Sequence, residues 1–326
     1  MNNFQQRSLA FCVLIAFALS GCISVSLGNR TARDKLKETV VQGEGWQKVL
    51  ILDITGFISN VPPWRPYAPP ATTLIDVKEK LRKAAGDKRI KAVVLRINSP
   101  GGTVTASDTI AEELLRFKAK TGKPIVAMML DTAASGGYYV AVSADRIVAQ
   151  PTTITGSIGV IIQKFDIHEL LGRLGIANTP VKSGIHKDIG SPFRPGSERE
   201  AALLQETIDT LYNRFVDRVT ENRAGLSRDE VVVLADGRIY TADQALHHGL
   251  IDEIGYLDDA IDQAKAMAGL EKARVVIYRL PQAYKENIYS TAPGAPVTEI
   301  HLLDPSRNLP WEGAPFLYLW DPRGTL

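Results

Sequence analysis

Apolar residues occur along the chain in short unbroken runs that alternate with stretches of helical spacing. Three runs have the length of a strand and are almost continuous, at residues 49–54, 90–97 and 124–130. Such runs are typical of strands that are covered on both faces of a parallel sheet. Between them, residues 73–85 and 105–120 carry apolar side chains every three or four positions, which indicates amphipathic helices. This succession predicts an α/β fold built from βαβ units.

The second half of the chain is predicted to be mainly helical. Residues 197–222 form a long amphipathic stretch, and shorter ones follow at 228–234 and 242–248. Residues 274–280 predict a last strand, and an irregular, proline-containing tail is expected over 281–326. We expect this tail to cover the body of the protein, a neighbouring chain or a substrate groove, because it ends in a group of apolar and aromatic residues: Trp311, Phe316, Leu317, Tyr318 and Trp320.

The N-terminus has the pattern of an export signal. Arg7 precedes an apolar run over residues 9–19, which is too short to cross a bilayer. The following Leu-Ser-Gly-Cys resembles the lipobox of bacterial lipoproteins, which implies a signal peptide over 1–21 and a lipid on Cys22. The alternative is an ordinary secretory signal. Residues 22–47 are predicted to be a polar, partly helical tether, and the folded part is expected on the extracytoplasmic side of a membrane in the bacterial envelope.

Composition narrows the class of protein. The 326 residues are 45% hydrophobic and 23% charged, which is typical of a globular chain with a sizeable core. The formal net charge is +2, and basic and acidic residues alternate throughout, so no basic patch indicates a nucleic-acid partner. Of the two cysteines, Cys12 lies in the leader and no cysteine follows Cys22, so no internal disulfide is expected. No metal or other cofactor is predicted.

Ser135 lies at a predicted strand-to-helix corner and is the first candidate for chemistry. It follows the third apolar run and precedes Gly136 and Gly137. At such a corner a hydroxyl lies near free helical N–H groups, which favour a developing oxyanion, and Gly136 lets a substrate approach the backbone. The alternative interpretation is a helix N-cap.

Gly101 and Gly102 follow the second apolar run and are expected at the same edge of the sheet as Ser135. Two glycine turns at neighbouring strand ends can direct backbone N–H groups to one point, which predicts an oxyanion hole together with Gly136. The alternative is a plain turn, because the motif lacks the lysine and the spaced glycines of a phosphate-binding loop.

Four motifs in this order and spacing resemble the S49 serine peptidases, also called the protease IV family. They are Asn-Ser-Pro-Gly-Gly at 98–102, Ala-Ala-Ser-Gly-Gly-Tyr-Tyr at 133–139, Thr-Gly-Ser-Ile-Gly-Val at 155–160 and Lys-Ser-Gly-Ile-His-Lys-Asp at 182–188. The resemblance implies a fold similar to ClpP and crotonase, with repeated ββα-type units and additional C-terminal helices. The resemblance covers roughly residues 49–268, implies one peptidase domain over 48–280 and suggests the short, single-domain form of the family.

The resemblance also implies a general base that the residues alone leave open. Lys182, His186 and Lys187 compete within one segment, and if that segment is extended, His186 and Lys187 point to opposite sides. In the family the base is a lysine, and Lys187 is the matching position. Such a lysine must have its pKa lowered by burial in an apolar site. Ser157 matches the residue that orients the base.

The function expected from the resemblance is that of a membrane-anchored serine endopeptidase with a Ser-Lys dyad. Its substrates would be cleaved signal peptides and other membrane-derived peptides. The resemblance to the short form also implies a ring of identical chains, and because this chain carries the serine and lysine motifs only once, its sites are expected to form between neighbours. Two alternatives remain at this point: a crotonase-like acyl-CoA enzyme, and a catalytically inactive envelope scaffold of the same fold.

Overall fold

A computed structural model of the chain describes residues 36–60, 72–279 and 316–320. The strands, in chain order, are β1 (Lys37–Gln42), β2 (Lys48–Thr55), β3 (Ile90–Ser99), β4 (Gly101–Thr103), β5 (Ile125–Ala134), β6 (Arg146–Ala149), β7 (Ile154–Gly156), β8 (Ile161–Ile162), β9 (Ile239–Thr241), β10 (Glu253–Ile254), β11 (Arg274–Arg279) and β12 (Phe316–Leu319). The helices are α1 (Thr73–Gly86), α2 (Val104–Thr121), α3 (Gly136–Ala141), α4 (His168–Arg173), α5 (Glu198–Asn222), α6 (Arg228–Leu234), α7 (Ala242–His247) and α8 (Leu257–Met267).

A sheet with parallel strands at its centre organises this part of the chain. Its order is β1-β11-β2-β3-β5-β6-β10, and β7 extends the ladder beside the end of β5 and pairs with β9. The pairs from β11 to β6 are parallel, whereas β1 adds to β11 in the antiparallel sense. A second, smaller sheet has the order β4-β12-β8. The α/β fold of the ClpP and crotonase type is confirmed.

Helices on both faces explain why the strands contain continuous apolar runs. Within β2, Leu50 and Leu52 point into one buried cluster, whereas Val49 and Ile51 point into another. The first cluster contains side chains of α1, α2, α3 and α5, and the second is covered by α8. Each strand residue therefore loses contact with water whichever way it points, so no polar alternation is needed.

The structure differs from the sequence prediction at both ends of the peptidase body. Residues 37–42, which were assigned to a partly helical tether, form β1, whose register pairs Lys37 with Arg279. Residues 316–319, which were assigned to an irregular tail, form β12. Both segments are short strands that depend on distant parts of the chain for their hydrogen bonds. The leader, Cys22 and residues 61–71 lie outside the described residues. In the described part of the chain, no helix is both long and apolar enough to cross a membrane.

Candidate active site

Ser135 lies between the end of β5 and the start of α3 in a strained backbone conformation. Its φ is 52°, and among the described residues other than glycine only Ser157 also has a positive φ. Ser135 occupies the N-cap position of α3, but its side chain makes no capping hydrogen bond there. A left-handed serine costs free energy, and such residues concentrate at functional sites. The strained backbone therefore indicates that the Ser135 hydroxyl has a role other than helix capping.

Ser157 lies next to Ser135 because their strands are neighbours. β5 and β7 are parallel, and their last pair in register is Ala134 with Gly156, so each serine follows directly after that pair. The N–H of Ser135 donates to the carbonyl oxygen of Gly156 at 2.7 Å, and the N–H of Ser157 donates to the carbonyl oxygen of Arg238 at 2.7 Å. Both serines are thus fixed by backbone bonds at the carboxyl edge of the sheet.

The three candidate oxyanion glycines converge beside Ser135. A Cβ atom built on Gly136 would lie 3.1 Å from the Gly102 nitrogen, and one built on Gly101 would lie 2.8 Å from the Gly136 nitrogen. Side chains are excluded here, because a Cβ on Gly102 would overlap the carbonyl oxygen of Ile58. That carbonyl also accepts a hydrogen bond from the N–H of Thr103 at 2.9 Å, which holds the turn in place. Two backbone N–H groups can therefore approach one oxygen atom.

No hydrogen bond joins Lys187 to Ser135 in the described part of the chain. Lys187 belongs to residues 163–197, which we call the Lys187 segment, and its side chain is exposed and has no hydrogen-bond or ion-pair partner in the described structure. The segment is not extended around this residue but forms successive turns: the N–H of Lys187 donates to Gly184 and the N–H of Ile189 donates to His186. The expectation of opposite-facing side chains in a strand therefore does not apply.

The competing lysine of the same segment is engaged elsewhere. Lys182 donates to Asp188 at 2.6 Å, and Arg194 donates to both oxygens of Asp188, at 2.7 and 2.9 Å. Hydrogen bonds from Arg194 and Lys182 lower the pKa of Asp188 below its ordinary value. Arg194 also pairs with Glu200 at the start of α5. Asp188 and Arg194 thereby attach the Lys187 segment to the helix that follows it.

Histidines form no Ser-His-Asp set among the described residues. His168 pairs with Asp166 at 2.5 Å, and no hydrogen bond joins the His168 ring to Ser135 or Ser157. His247 and His248 lie at the C-terminal end of α7, as the sequence predicts, and their rings contact each other. The Nδ1 atom of His186 is buried without a hydrogen-bond partner. The fifth histidine, His301, lies outside the described residues. In the described part of the chain, no group of His, Cys, Asp or Glu has the arrangement of a metal site.

An aromatic cluster beneath the serine was not predicted from the sequence. Tyr139 stands one turn into α3, and its ring lies 4.9 Å from that of Phe215 on α5. The Tyr139 hydroxyl donates to Asp108 at 2.6 Å, and Arg214 donates to the same carboxylate at 2.8 Å. Burial raises the pKa of Tyr139 to about 12, so its hydroxyl stays protonated as a donor. One feature of the sequence could have indicated this cluster, because Tyr139 lies within the serine motif, four residues after Ser135.

Comparisons with known proteins agree with these motifs. A model described as "Peptidase family S49" matches residues 117–271. A protein of Enterococcus faecium named "Putative signal peptide peptidase SppA" is 38% identical over 74% of this chain and 70% of its own length. "Serine protease SPPA, chloroplastic" of Arabidopsis thaliana is 36% identical, and the match covers 69% of this chain and 33% of that relative. "Protease 4" of Salmonella typhi is also 36% identical, over 61% of this chain and 32% of that relative.

Proposed function

Because the chain belongs to peptidase family S49 and is a serine-type endopeptidase, we propose that it cleaves extended apolar peptides with a dyad of Ser135 and Lys187. This membership sets aside the acyl-CoA enzyme and the inactive scaffold. The observation that carries the proposal is the left-handed Ser135 at the edge of the sheet, directly beside the converging glycines. That arrangement supplies a nucleophile and a hydrogen-bond site for the charge that its attack creates.

Each residue has a chemical role in this proposal. The Oγ atom of Ser135 attacks the carbonyl carbon of the peptide bond while neutral Lys187 accepts its proton. The N–H groups of Gly102 and Gly136 donate to the resulting oxyanion, and Gly101 shapes the turn that presents them. The lysine then protonates the leaving amine, and water releases the acyl group in a second cycle. Ser157, which lies next to Ser135 on the parallel strand, orients the lysine.

Lys187 reaches a serine of a neighbouring chain in this proposal. Its side chain is exposed and unpaired in the described chain, whereas a lysine acting as a base needs an apolar environment that lowers its pKa. A neighbour can provide that environment. The Lys187 segment supports such a contact, because it exposes a set of large apolar side chains: Phe165, Leu174, Ile176, Val181, Ile185 and Phe193. A contact between different surfaces of identical chains forms a ring when the rotation between neighbours closes, and this is the arrangement that we propose.

Complementation tests the shared site. Ser135→Ala and Lys187→Ala chains, each inactive alone, are co-assembled in equal amounts. About a quarter of the interfaces should then join an intact serine to an intact lysine and recover that share of peptidase activity. Unmixed assemblies of each variant are the controls. Verified mixed assemblies without recovered activity would place both residues in one chain.

A lipid anchor at Cys22 would hold this site beside the membrane. The proposal rests on the lipobox-like Leu-Ser-Gly-Cys, and it implies that the substrates are signal peptides and other membrane-derived peptides on the extracytoplasmic side. Cys22→Ser should release the protein from membranes or leave its leader uncleaved. Mass spectrometry of the wild-type N-terminus should find an acylated cysteine, and a mature N-terminus without a lipid would refute the anchor.

A further inference from the structure

Ser99 is the last residue of β3 and lies between the two halves of the candidate site. It is fully buried, and its register partner on β5 is Ala133, two residues before Ser135. Two residues after Ser99 the chain enters the glycine turn at Gly101 and Gly102. Ser99 therefore connects the strand that leads to the proposed nucleophile with the turn that carries a proposed oxyanion donor.

The hydroxyl of Ser99 joins two separate stretches of backbone. Its Oγ atom donates to the carbonyl oxygen of Gly56 at 2.6 Å and accepts a hydrogen bond from the N–H of Gly101 at 3.1 Å. The carbonyl oxygen of Gly101 is a second, more distant acceptor at 3.4 Å. Because Gly56 follows β2 and Gly101 begins the turn after β3, one side chain fixes the turn relative to the neighbouring strand.

The backbone of Ser99 also packs against the start of α3. A Cβ atom built on Gly137 would lie 2.7 Å from the Ser99 carbonyl oxygen, which is closer than a real Cβ atom approaches. Glycine at this position therefore allows a contact that a side chain would prevent. Since α3 begins at Gly136, Ser99 lies next to the segments of both proposed oxyanion donors.

These contacts distinguish the roles of the two glycines in the turn. The N–H of Gly101 is engaged by Ser99, and the carbonyl of Gly101 accepts from the N–H of Ile58 at 2.9 Å. The φ of Gly101, 108°, lies in the left-handed region that favours glycine. Gly101 is thus held through both of its backbone groups, which leaves the N–H of Gly102 as the proposed oxyanion donor of this turn.

We propose that Ser99 is a positioning residue of the peptidase, which directs the N–H of Gly102 toward the oxyanion by holding Gly101. The inference rests on the proposed function and adds to it a residue that acts through its neighbour. Without the Ser99 hydroxyl, the buried N–H of Gly101 would lose its partner, and the turn would shift to satisfy it. A displacement of about 1 Å at such a donor is enough to slow the chemical step substantially.

Ser99→Ala tests this role in the full-length enzyme with a fluorogenic peptide of apolar residues. We expect kcat to fall about ten- to 100-fold, less than for loss of the donor itself, and KM to stay within about twofold, since the contact matters mainly in the transition state. The rate of labelling by a fluorophosphonate probe should also fall, because its phosphoryl oxygen takes the oxyanion position in the proposed mechanism. Circular dichroism establishes that the variant is folded.

Ser99→Cys provides a second variant that keeps a polar hydrogen at this position. A thiol is a weaker donor and acceptor than a hydroxyl, so kcat should fall only about three- to tenfold, to a value between those of the wild type and Ser99→Ala. If Ser99→Ala does not fold, Ser99→Cys decides the question, and a kcat equal to that of the wild type would then overturn the inference.

Ser227→Ala is the matched control, because it removes the hydroxyl of a serine that also holds a backbone N–H group. The Ser227 Oγ atom accepts from the N–H of Glu230 at 3.3 Å and donates to the carboxylate of that residue at 2.7 Å, at the start of α6. Loss of this cap should lower the thermal midpoint by a few degrees and leave kcat unchanged.

The outcomes separate the role of Ser99 from the proposed function. An equal loss of kcat in Ser99→Ala and Ser227→Ala, or a loss confined to KM, would overturn the role of Ser99. An active wild type with an equally active Ser99→Ala variant would contradict that role alone. A wild-type enzyme that neither cleaves the peptide nor reacts with the probe would refute the proposed function, and the inference with it.

Discussion

The edge of the sheet that carries Ser135 and the Lys187 segment are built in opposite ways. Around Ser135 the backbone is buried and bonded to neighbouring strands, and both serines are fixed by main-chain hydrogen bonds of 2.7 Å. Over residues 163–197 the chain forms turns, exposes large apolar side chains and is held at one end by Asp188 and Arg194. A single chain thus preforms the proposed nucleophile and the proposed oxyanion site but leaves the candidate base in a region that it does not bury.

Ser135→Ala tests the preformed side of this comparison and should have the largest effect. Peptidase activity should fall by about 10⁴-fold or more, because the nucleophile is lost, while the thermal midpoint stays within a few degrees. Labelling by a fluorophosphonate probe should disappear as well. Ser143→Ala is the control, since Ser143 is buried and its Oγ has no hydrogen-bond partner. Undiminished turnover by Ser135→Ala would end the serine-peptidase mechanism.

Lys187→Ala tests the exposed Lys187 segment, which is the other half of this comparison. We expect kcat/KM to fall about 10²- to 10⁴-fold, the range of a lost general base, without loss of folding. Lys182→Ala and His186→Ala are the controls, because they alter the same segment, and both should retain a substantial part of the activity. If His186→Ala were the inactive variant instead, the enzyme would use a Ser-His pair and the assignment of Lys187 would be wrong.

Gly102→Ala tests whether the N–H groups of Gly102 and Gly136 must both point to the oxyanion position. The added Cβ would overlap the carbonyl of Ile58, so the turn has to move and its N–H leaves the oxyanion position. Loss of one such donor should lower kcat about 10²- to 10³-fold. Gly86→Ala provides the control, since a Cβ at that position has no heavy atom within 4 Å. Equal activity of the two variants would contradict the role of Gly102.

Asp188→Asn should have the smallest effect, because it removes a charge that orders the Lys187 segment and leaves Lys187 itself in place. We expect peptidase activity to fall about two- to fivefold, which corresponds to the free energy that an exposed ion pair contributes. Proteolysis within residues 163–197 should become faster. Because the pKa of Asp188 is lowered in the folded chain, its contribution is complete above the ordinary value of 3.8 and is lost as the pH falls below it. The proteolysis rate of the wild type should therefore rise on acidification and approach that of the variant.

Asp166→Asn is the matched control for this change, since Asp166 lies in the same segment and pairs with the surface residue His168. It should leave activity and the proteolysis of residues 182–194 unchanged. If Asp188→Asn behaved in the same way, the ion pairs of Asp188 would not order the segment.

The sequence predicts the parts of the fold that local patterns determine. The helix at Arg228–Leu234 begins where it was predicted because Ser227 and Glu230 form a capping box, and Ser197 and Glu200 do the same at the start of α5. β1 could not be predicted, since its residues are half exposed and its bonds come from β11, more than two hundred positions later. β12 could not be predicted for the same reason, because its partners β4 and β8 lie far earlier in the chain.

The placement of the candidate serines and glycines at strand ends was predictable from the sequence, but their geometry was not. The motifs place Ser135, Ser157 and the glycines at strand ends, and parallel neighbours then meet at one edge. The left-handed backbone of both serines leaves no mark in the sequence, because serine is not a residue that favours positive φ. The aromatic cluster of Tyr139 and Phe215 joins two helices through tertiary packing. The spacing of apolar residues along one helix gives no information about such a contact between helices.

The position of β11 between β1 and β2 sets an order on folding. Its residues Arg274–Ile277 pair with Lys48–Ile51, so this flank of the sheet cannot close until nearly the whole body has left the ribosome. Contacts of such long sequence separation form slowly, and until then the apolar edge of β2 stays open to other chains. A chain truncated before Arg274 would lose two strands at once, because β1 has its partner in β11. Such a chain would expose an edge of the sheet to aggregation while still carrying every motif of the site.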